Sequence, residues 1–356
     1  MKDLAVYNKI KVIVTGSTGF KGSWLCFWLN NLNANVVGIG LKPEKDSIIF
    51  KVLELNKKIK QIYLDINNFK KLNEIIKKEK PDLIFHLAAQ SIVSLGYKEP
   101  LQTIETNVLG SANILEACRK NKVNNLIYIT SDKCYLNKNF SSGYKETDVL
   151  GGYDNYSSSK AAAEIIFKSY FNCFFKKKKI SAVSARAGNV IGGGDFKKDR
   201  IMTDVVQSIS AKKNIIIRNP NFIRPWQHVL ESLSGYITLG QYILNKKLSN
   251  KLTPNWNFGP NSSNHARVID IVNRTIVKWG NYSKKIIINK KNTFHESEKI
   301  FLNINKAKKE LNWKPTLSLN ETIDLTVDWY KSYFLNKKMT NVTLNQIEIF
   351  LDKNKY

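Results

Sequence analysis

The chain lacks an apolar run of 18 residues and a hydrophobic segment near its start, so neither a membrane span nor a signal peptide is expected. Cysteine is scarce, with four in 356 residues. Cys26, Cys118, Cys134 and Cys173 stand in apolar or helical surroundings without paired spacing. They are expected to be buried thiols of a cytoplasmic protein rather than a disulfide framework. Histidine is equally rare, at four. His86 sits in an apolar run with no partner at metal-ligand spacing and reads as a satisfied core histidine; no metal is expected. Acidic residues number 29 against 56 lysines and arginines, for a net charge of +27. Such a balance invites a nucleic-acid reading. Yet only seven of the basic residues are arginine, and the lysines are spread among asparagines and isoleucines as in an AT-rich coding sequence. No RNA-binding motif accompanies them, and the densest cluster, Lys176 to Lys179, reads as a solvated turn. No nucleic-acid partner is expected.

What is present is alternation. With 43% hydrophobic residues the chain can bury an ample core, and its length suits one large domain or two smaller ones. Apolar runs at Lys9–Val14, Asn35–Ile39, Gln61–Leu64, Asp82–His86, Leu126–Ile129 and Lys179–Ala185 read as strands. Helical stretches separate them, among them Ser23–Leu32, the amphipathic Phe69–Lys80 and a long helix Leu101–Arg119. Strand, helix and strand in this order predict right-handed βαβ units and an α/β fold, a Rossmann-type doubly wound parallel sheet. No repeat or low-complexity linker divides the chain. The expected organisation is a dinucleotide-binding region over 1–185, a smaller C-terminal α/β substrate region over 186–335 and a lysine- and asparagine-rich peripheral tail over 336–356.

The first strand runs into Thr15-Gly16-Ser17-Thr18-Gly19-Phe20-Lys21-Gly22. Gly16 permits the tight turn, Gly19 the approach of backbone amides to a pyrophosphate, and Gly22 the packing of helix on strand. Thr18 and Phe20 flank that approach, and the helix N-terminus offers partial positive charge. The acidic residue expected after the second strand, to bind a ribose 2′-OH, is missing: Gly40, Leu41 and Lys42 stand there. This leaves NAD and NADP both open at this point. Asp65, with Ile66 beyond it, ends the third strand and either holds the adenine edge or caps the next helix. Leu87, Ala88 and Ala89 follow the fourth strand and are small enough for backbone to lie against a cofactor, with Gln90 next.

The central stretch is Ile127–Lys160. A strand ends in Thr130-Ser131-Asp132-Lys133, where open α/β sheets bind their ligands. Tyr156 and Lys160 stand four apart on an alanine-rich helix and so share a face. A cation beside a phenol is expected to pull its pKa down from about 10. The alternative is a chance pair on a surface helix; the Ser-Asp-Lys strand end and the nucleotide loop favour a catalytic group. Farther on, Arg186-Ala187-Gly188-Asn189-Val190-Ile191-Gly192-Gly193-Gly194-Asp195 either wraps a ligand or connects flexibly. Arg200, Arg218, Arg224 and His228 follow. Arginine forks suit a diphosphate, although Pro225 alone accounts for a structural corner.

Taken together, these segments resemble the extended short-chain dehydrogenase/reductase family of the nucleotide-sugar type over roughly residues 9 to 335. Arg218-Asn219-Pro220 and Arg224-Pro225-Trp226-Gln227-His228-Val229 are the most specific. Relatives acting on dTDP-glucose or GDP-mannose typically carry an acidic residue where Lys133 stands and aspartate where Pro225 stands. The resemblance implies bound, recycled NAD and dehydration of CDP-D-glucose to its 4-dehydro-6-deoxy product, within a homodimer or homotetramer. It implies Ser131, Tyr156 and Lys160 for oxidation at C4, Asp132 as the acid at C6 and Lys133 as candidate base at C5. Gln90, Asn189, Arg200, Arg218, Arg224 and His228 are then the expected substrate contacts.

Overall fold

In the computed structural model, which describes residues 4–246, 253–289 and 297–354, a seven-stranded sheet organises the chain. Its first six strands are β1 (Lys11–Thr15), β2 (Asn35–Gly40), β3 (Lys60–Tyr63), β4 (Leu83–His86), β5 (Asn125–Ile129) and β6 (Ser181–Ala187). The seventh, Asn255–Phe258, comes from the second half of the chain. Their order runs from Asn255–Phe258 through β6, β5, β4, β1 and β2 to β3. Every pairing in this sheet is parallel. Between β1 and β4 the direction of winding reverses, and such switch points open a crevice at the carboxyl ends of the strands.

Strand side chains alternate between two cores, as the pleat requires. Val12 and Val14 of β1 point to one face with Phe85 and Ile127, while Ile13 points to the other with Ile84 and Leu126. The first face is the larger. It takes α1 (Phe20–Asn31), apolar nearly all round and buried from Gly22 to Leu29, as a helix without a polar face must be. The helix Val229–Leu244 lies on the same side and is almost wholly buried.

The second half adds three two-stranded pairs and a satellite core of Val205, Ile209, Ile215, Ile217 and Val272. The expected peripheral tail is a packed element instead. Met339–Lys353 is a helix whose Met339, Ile347 and Phe350 are buried in the larger core, with the Phe350 ring edge-on to Trp28 at 6.0 Å. Apolar residues at helical spacing outweigh the lysine-rich composition, since burying each such side chain contributes about 1.5–3 kcal/mol.

The long helix expected over Leu101–Arg119 also differs in detail. It runs as α-helix over Pro100–Ile104, widens to a π-helix over Glu105–Gly110, and resumes as α-helix over Ser111–Asn121. Cys26, Cys118 and Cys134 are buried, but Cys173 is exposed on a turn of π-helix. Among the described residues no helix is long and apolar enough to cross a membrane.

Candidate active site

A cleft of about 710 Å³ opens along the carboxyl ends of the strands. It is bounded by the glycine turn after β1, the loops after β2 to β6, and the second half of the chain. Gly16 has φ +73°, and a Cβ there would lie 2.8 Å from the Ala88 amide nitrogen. A Cβ on Gly22 would come within 2.0 Å of the Gly16 carbonyl oxygen. These glycines are therefore demanded by backbone-to-backbone contact. Gly19 is the N-cap of α1, with no side chain capping the helix and no acidic residue in its first turn. That end is a ready anion site, and the chain thus fits a dinucleotide pyrophosphate there. Thr18, Phe20, Asp65, Ile66, Leu87 and Ala89 also line the cleft. Asp65 accepts from the Asn67 amide at 2.9 Å, while Asn68 caps the following helix.

His86 is 1% exposed, with Nδ1 2.8 Å from the Thr15 hydroxyl and Nε2 2.9 Å from that of Ser111. Burial first, then the charge of Lys160, pushes it down to about 3. It is the satisfied core histidine expected from its apolar surroundings. Thr15 Oγ1 also accepts from the Leu87 and Ala88 amides at 3.1 and 3.2 Å, tying β1 to the segment after β4.

Ser131 ends the loop after β5, and its hydroxyl donates to Asp132 Oδ1 at 2.8 Å. Asn189 donates to the other carboxylate oxygen at 3.1 Å. Asp132 is 2% exposed, and a buried carboxylate is tolerated when its oxygens are hydrogen-bonded. Gly188 lies flat against it: a Cβ there would be 2.0 Å from Asp132 Cγ. Lys133 follows on the same short turn and lines the cleft.

Tyr156 and Lys160 enter from the helix Asn155–Tyr170, whose N-terminus is capped by Asp154 accepting from the Ser157 amide at 2.9 Å. They are 7% and 6% exposed, with Lys160 Nζ 5.8 Å from the Tyr156 ring centre. The phenol does not shift as expected. Burial pushes Tyr156 up to about 12; the Ser131 hydrogen bond opposes this and the Asp132 charge adds to it. Lys160 is driven down to about 7, by burial first and by the charge of Lys21 next. Two desolvated groups each favour their neutral form, which outweighs their mutual attraction.

The helix rests on a buried ion pair beneath the sheet end. Arg186 Nη2 is 2.7 Å from Glu164 Oε2, with the two side chains 3% and 2% exposed. Burial by itself raises the Glu164 carboxyl, but Arg186 and the Thr130 and Ser184 hydroxyls hold it below the usual carboxylate range.

Among the expected substrate contacts, Gln90, Asn189, Arg200, Arg218 and Arg224 reach the cleft. Gln90 donates its side-chain amide to Thr103 at 2.9 Å. Arg200 pairs with Asp195 at 2.5 Å and donates to Ser91 at 2.7 Å. Arg218 stands 3.7 Å from Asp199, and Arg224 donates to the Glu298 carbonyl at 2.6 Å. His228 is the exception. It is 0% exposed, caps the helix Val229–Leu244 by accepting from the Leu230 amide at 3.3 Å, and stacks edge-on to Trp24 at 6.1 Å. Sequence proximity to Arg224 suggested a ligand contact; the ring packs in the core instead.

Two residues escaped the sequence reading. Asn107, inside the π-helical turn and 0% exposed, accepts from the Gln90 amide at 2.8 Å and donates to the Gln90 carbonyl at 3.0 Å and to Ser159 at 2.9 Å. It thereby holds the cleft wall to the helix Asn155–Tyr170. Lys21 donates to the Tyr236 hydroxyl at 3.3 Å, across 215 positions of sequence. Its only advance signal was a lysine inside a glycine turn.

A parallel sheet with a glycine turn at its switch point and a Ser–Tyr–Lys group beside it defines a short-chain dehydrogenase/reductase of the extended type. The family model described as GDP-mannose 4,6 dehydratase matches residues 13–326, and the chain belongs to that family. A CDP-glucose 4,6-dehydratase of Salmonella typhimurium is 38% identical over 357 residues, covering 99% of each chain. A solved dTDP-glucose 4,6-dehydratase of Bacillus anthracis, in complex with NAD, has a TM-score of 0.75 at 21% identity, covering 93% of this chain and 99% of that one. The UDP-glucuronic acid 4-epimerase of Bacillus cereus reaches 0.78 at 24% identity, covering 91% and 100%. Dehydratases and epimerases share this fold, so the fold by itself does not choose between them.

Proposed function

We propose that the protein is an NAD-dependent CDP-glucose 4,6-dehydratase, a hydro-lyase that converts CDP-D-glucose to CDP-4-dehydro-6-deoxy-D-glucose and water. The supporting observation is the 38% identity over 99% of the chain to an enzyme of that name, together with Ser131-Asp132-Lys133 beside Tyr156 and Lys160 in one cleft. The product serves deoxysugar and surface polysaccharide synthesis. The enzyme works in the cytoplasm as a homodimer or homotetramer.

The glycine turn, Asp65, Ile66 and Leu87 to Ala89 would hold NAD, which would supply a hydride acceptor for C4 of the sugar and a hydride donor for C6. Tyr156 takes the proton of the C4 hydroxyl, oriented by Ser131, with Lys160 steadying the phenolate. A neighbouring cation is needed for this step, since burial, the largest of several influences, leaves the phenol at about 12 even with the Ser131 hydrogen bond opposing it. Once C4 is a ketone the C5 proton is acidic. Lys133 removes it and Asp132 protonates the departing C6 hydroxyl, so water leaves across C5 and C6; Lys133 gives its proton back to C5 when hydride reaches C6. Arg200, Arg218 and Arg224 bind the nucleotide diphosphate. An epimerase has no use for the acid and base beside the serine, and Asp132-Lys133 therefore favours dehydration.

The test is a panel of CDP-, dTDP-, UDP- and GDP-linked hexoses with product masses read. Loss of 18 mass units (one water, on the order of that figure) from CDP-glucose in preference to the others is expected. Equal or faster turnover of dTDP-glucose, or a product of unchanged mass, would overturn the assignment.

A further inference from the structure

We propose that Asp46 recognises the adenosine ribose of the bound dinucleotide and makes the site selective for NAD over NADP, taking the place of the acidic residue that β2 lacks. This rests on the reading of the cleft as a dinucleotide site.

The first of the three positions where that acid is missing is tightly packed. β2 ends at Gly40, where a Cβ would lie 2.9 Å from Thr18 Oγ1 and 3.3 Å from Ser17 Oγ. A side chain there would displace the Thr18 hydroxyl. Thr18 instead donates to the Leu41 carbonyl at 3.0 Å and so docks the following loop on that turn. The loop carries four charged residues along the cleft or its rim: Lys42, Glu44, Lys45 and Asp46. Lys42 and Lys45 are exposed to solvent. Glu44 is committed to Lys197 at 3.4 Å and its side chain is 69% exposed. Asp46 differs. It lines the cleft, and its Oδ1 is buried with no hydrogen-bond partner among the described residues.

A buried carboxylate oxygen without a donor is costly, and a ligand hydroxyl removes that cost. The vicinal diol of a ribose supplies such donors. A 2′-phosphate supplies none and meets the carboxylate with like charge. The exposed Lys42, free to swing into water, offers only a screened attraction in return. Selectivity for the unphosphorylated ribose follows from this difference.

Calorimetric titration of the full chain, stripped of dinucleotide, with NAD, NADP and adenosine-2′-deoxy-NAD tests the inference without reference to turnover. Wild-type protein is expected to bind NAD about 10-fold or more tighter than either analogue, the usual scale of one charge-assisted hydrogen bond. In Asp46→Ala the advantage of NAD over the 2′-deoxy analogue disappears, and that over NADP shrinks by about 10-fold or more. Asp46→Asn, which keeps the shape, is expected to fall between the two. Glu44→Gln leaves the preference as in wild type. An undiminished preference for NAD in both Asp46 variants overturns the inference. Failure of the wild-type chain to bind any of the three overturns the dinucleotide reading itself, a result that is distinguishable from the first.

Discussion

Replacing Gly188 by alanine probes the proposed acid, Asp132, without substituting it. The new Cβ would stand 2.0 Å from Asp132 Cγ and from its Oδ2, where ordinary contact begins at 3.4 Å. Gly188 itself needs no left-handed backbone, because its φ is not among the positive values. The fold therefore tolerates alanine there, and the strain falls on the carboxylate. Asp132 must retreat by about 1.4 Å, breaking its hydrogen bonds to Ser131 (2.8 Å) or Asn189 (3.1 Å). A misplacement on the order of 1 Å at a reacting group costs about 10²-fold in rate, or about 2.7 kcal/mol of transition-state stabilisation. In the proposed mechanism oxidation at C4 runs through Tyr156, so the loss should fall on the elimination. In single-turnover assays with CDP-glucose, Gly188→Ala and Asp132→Asn are both expected to accumulate reduced nicotinamide absorbance while water loss is slow. Gly151→Ala, whose Cβ would meet Leu136 at 3.2 Å away from the cleft, is the control for a generic glycine effect. Wild-type turnover by Gly188→Ala would refute the placement of Asp132 as the acid.

Acid stability offers a second check. His86 and His228 are both held down to about 3, chiefly by burial, against about 6.5 in the unfolded chain. The unfolded chain thus binds the protons first. The stability each histidine contributes is complete above about pH 6.5 and is lost towards pH 3, at about 1.4 kcal/mol per pH unit. His228→Asn keeps a capping side chain and should remove about half of this combined slope in urea titrations between pH 6.5 and 5; an unchanged slope would contradict it. For the buried ion pair, Arg186→Met should destabilise by about 3–5 kcal/mol because it strands the Glu164 carboxylate, with part of the loss restored by adding Glu164→Gln. Urea midpoints equal to wild type would show that the pair is not needed.

The sequence alone determined what is local and periodic. The strands fall within about two residues of their expected bounds, as element ends usually do, because alternation and turn residues act over a few positions. The glycine turn, the Ser131–Lys133 strand end and the Tyr156–Lys160 pair were legible for the same reason, since each is a short motif in a short context. The widened turn around Asn107 was not legible, because a π-helix leaves no mark on an apolar pattern of helical period. The tail was misread because composition was weighed above the spacing of Met339, Ile347 and Phe350.

Tertiary structure decided everything that depends on partners distant in the chain. It turned His228 away from the ligand and into the core against Trp24, 204 positions apart by number, at 6.1 Å. It set Gly188 against Asp132 and Asp46 in the cleft that Gly40 cannot serve. It also reversed the expected shift of Tyr156, because desolvation is a property of the packed cleft and outweighs the single cation that sequence spacing places nearby. Burial and through-space charge are summed over the whole fold, and no local pattern of residues encodes that sum.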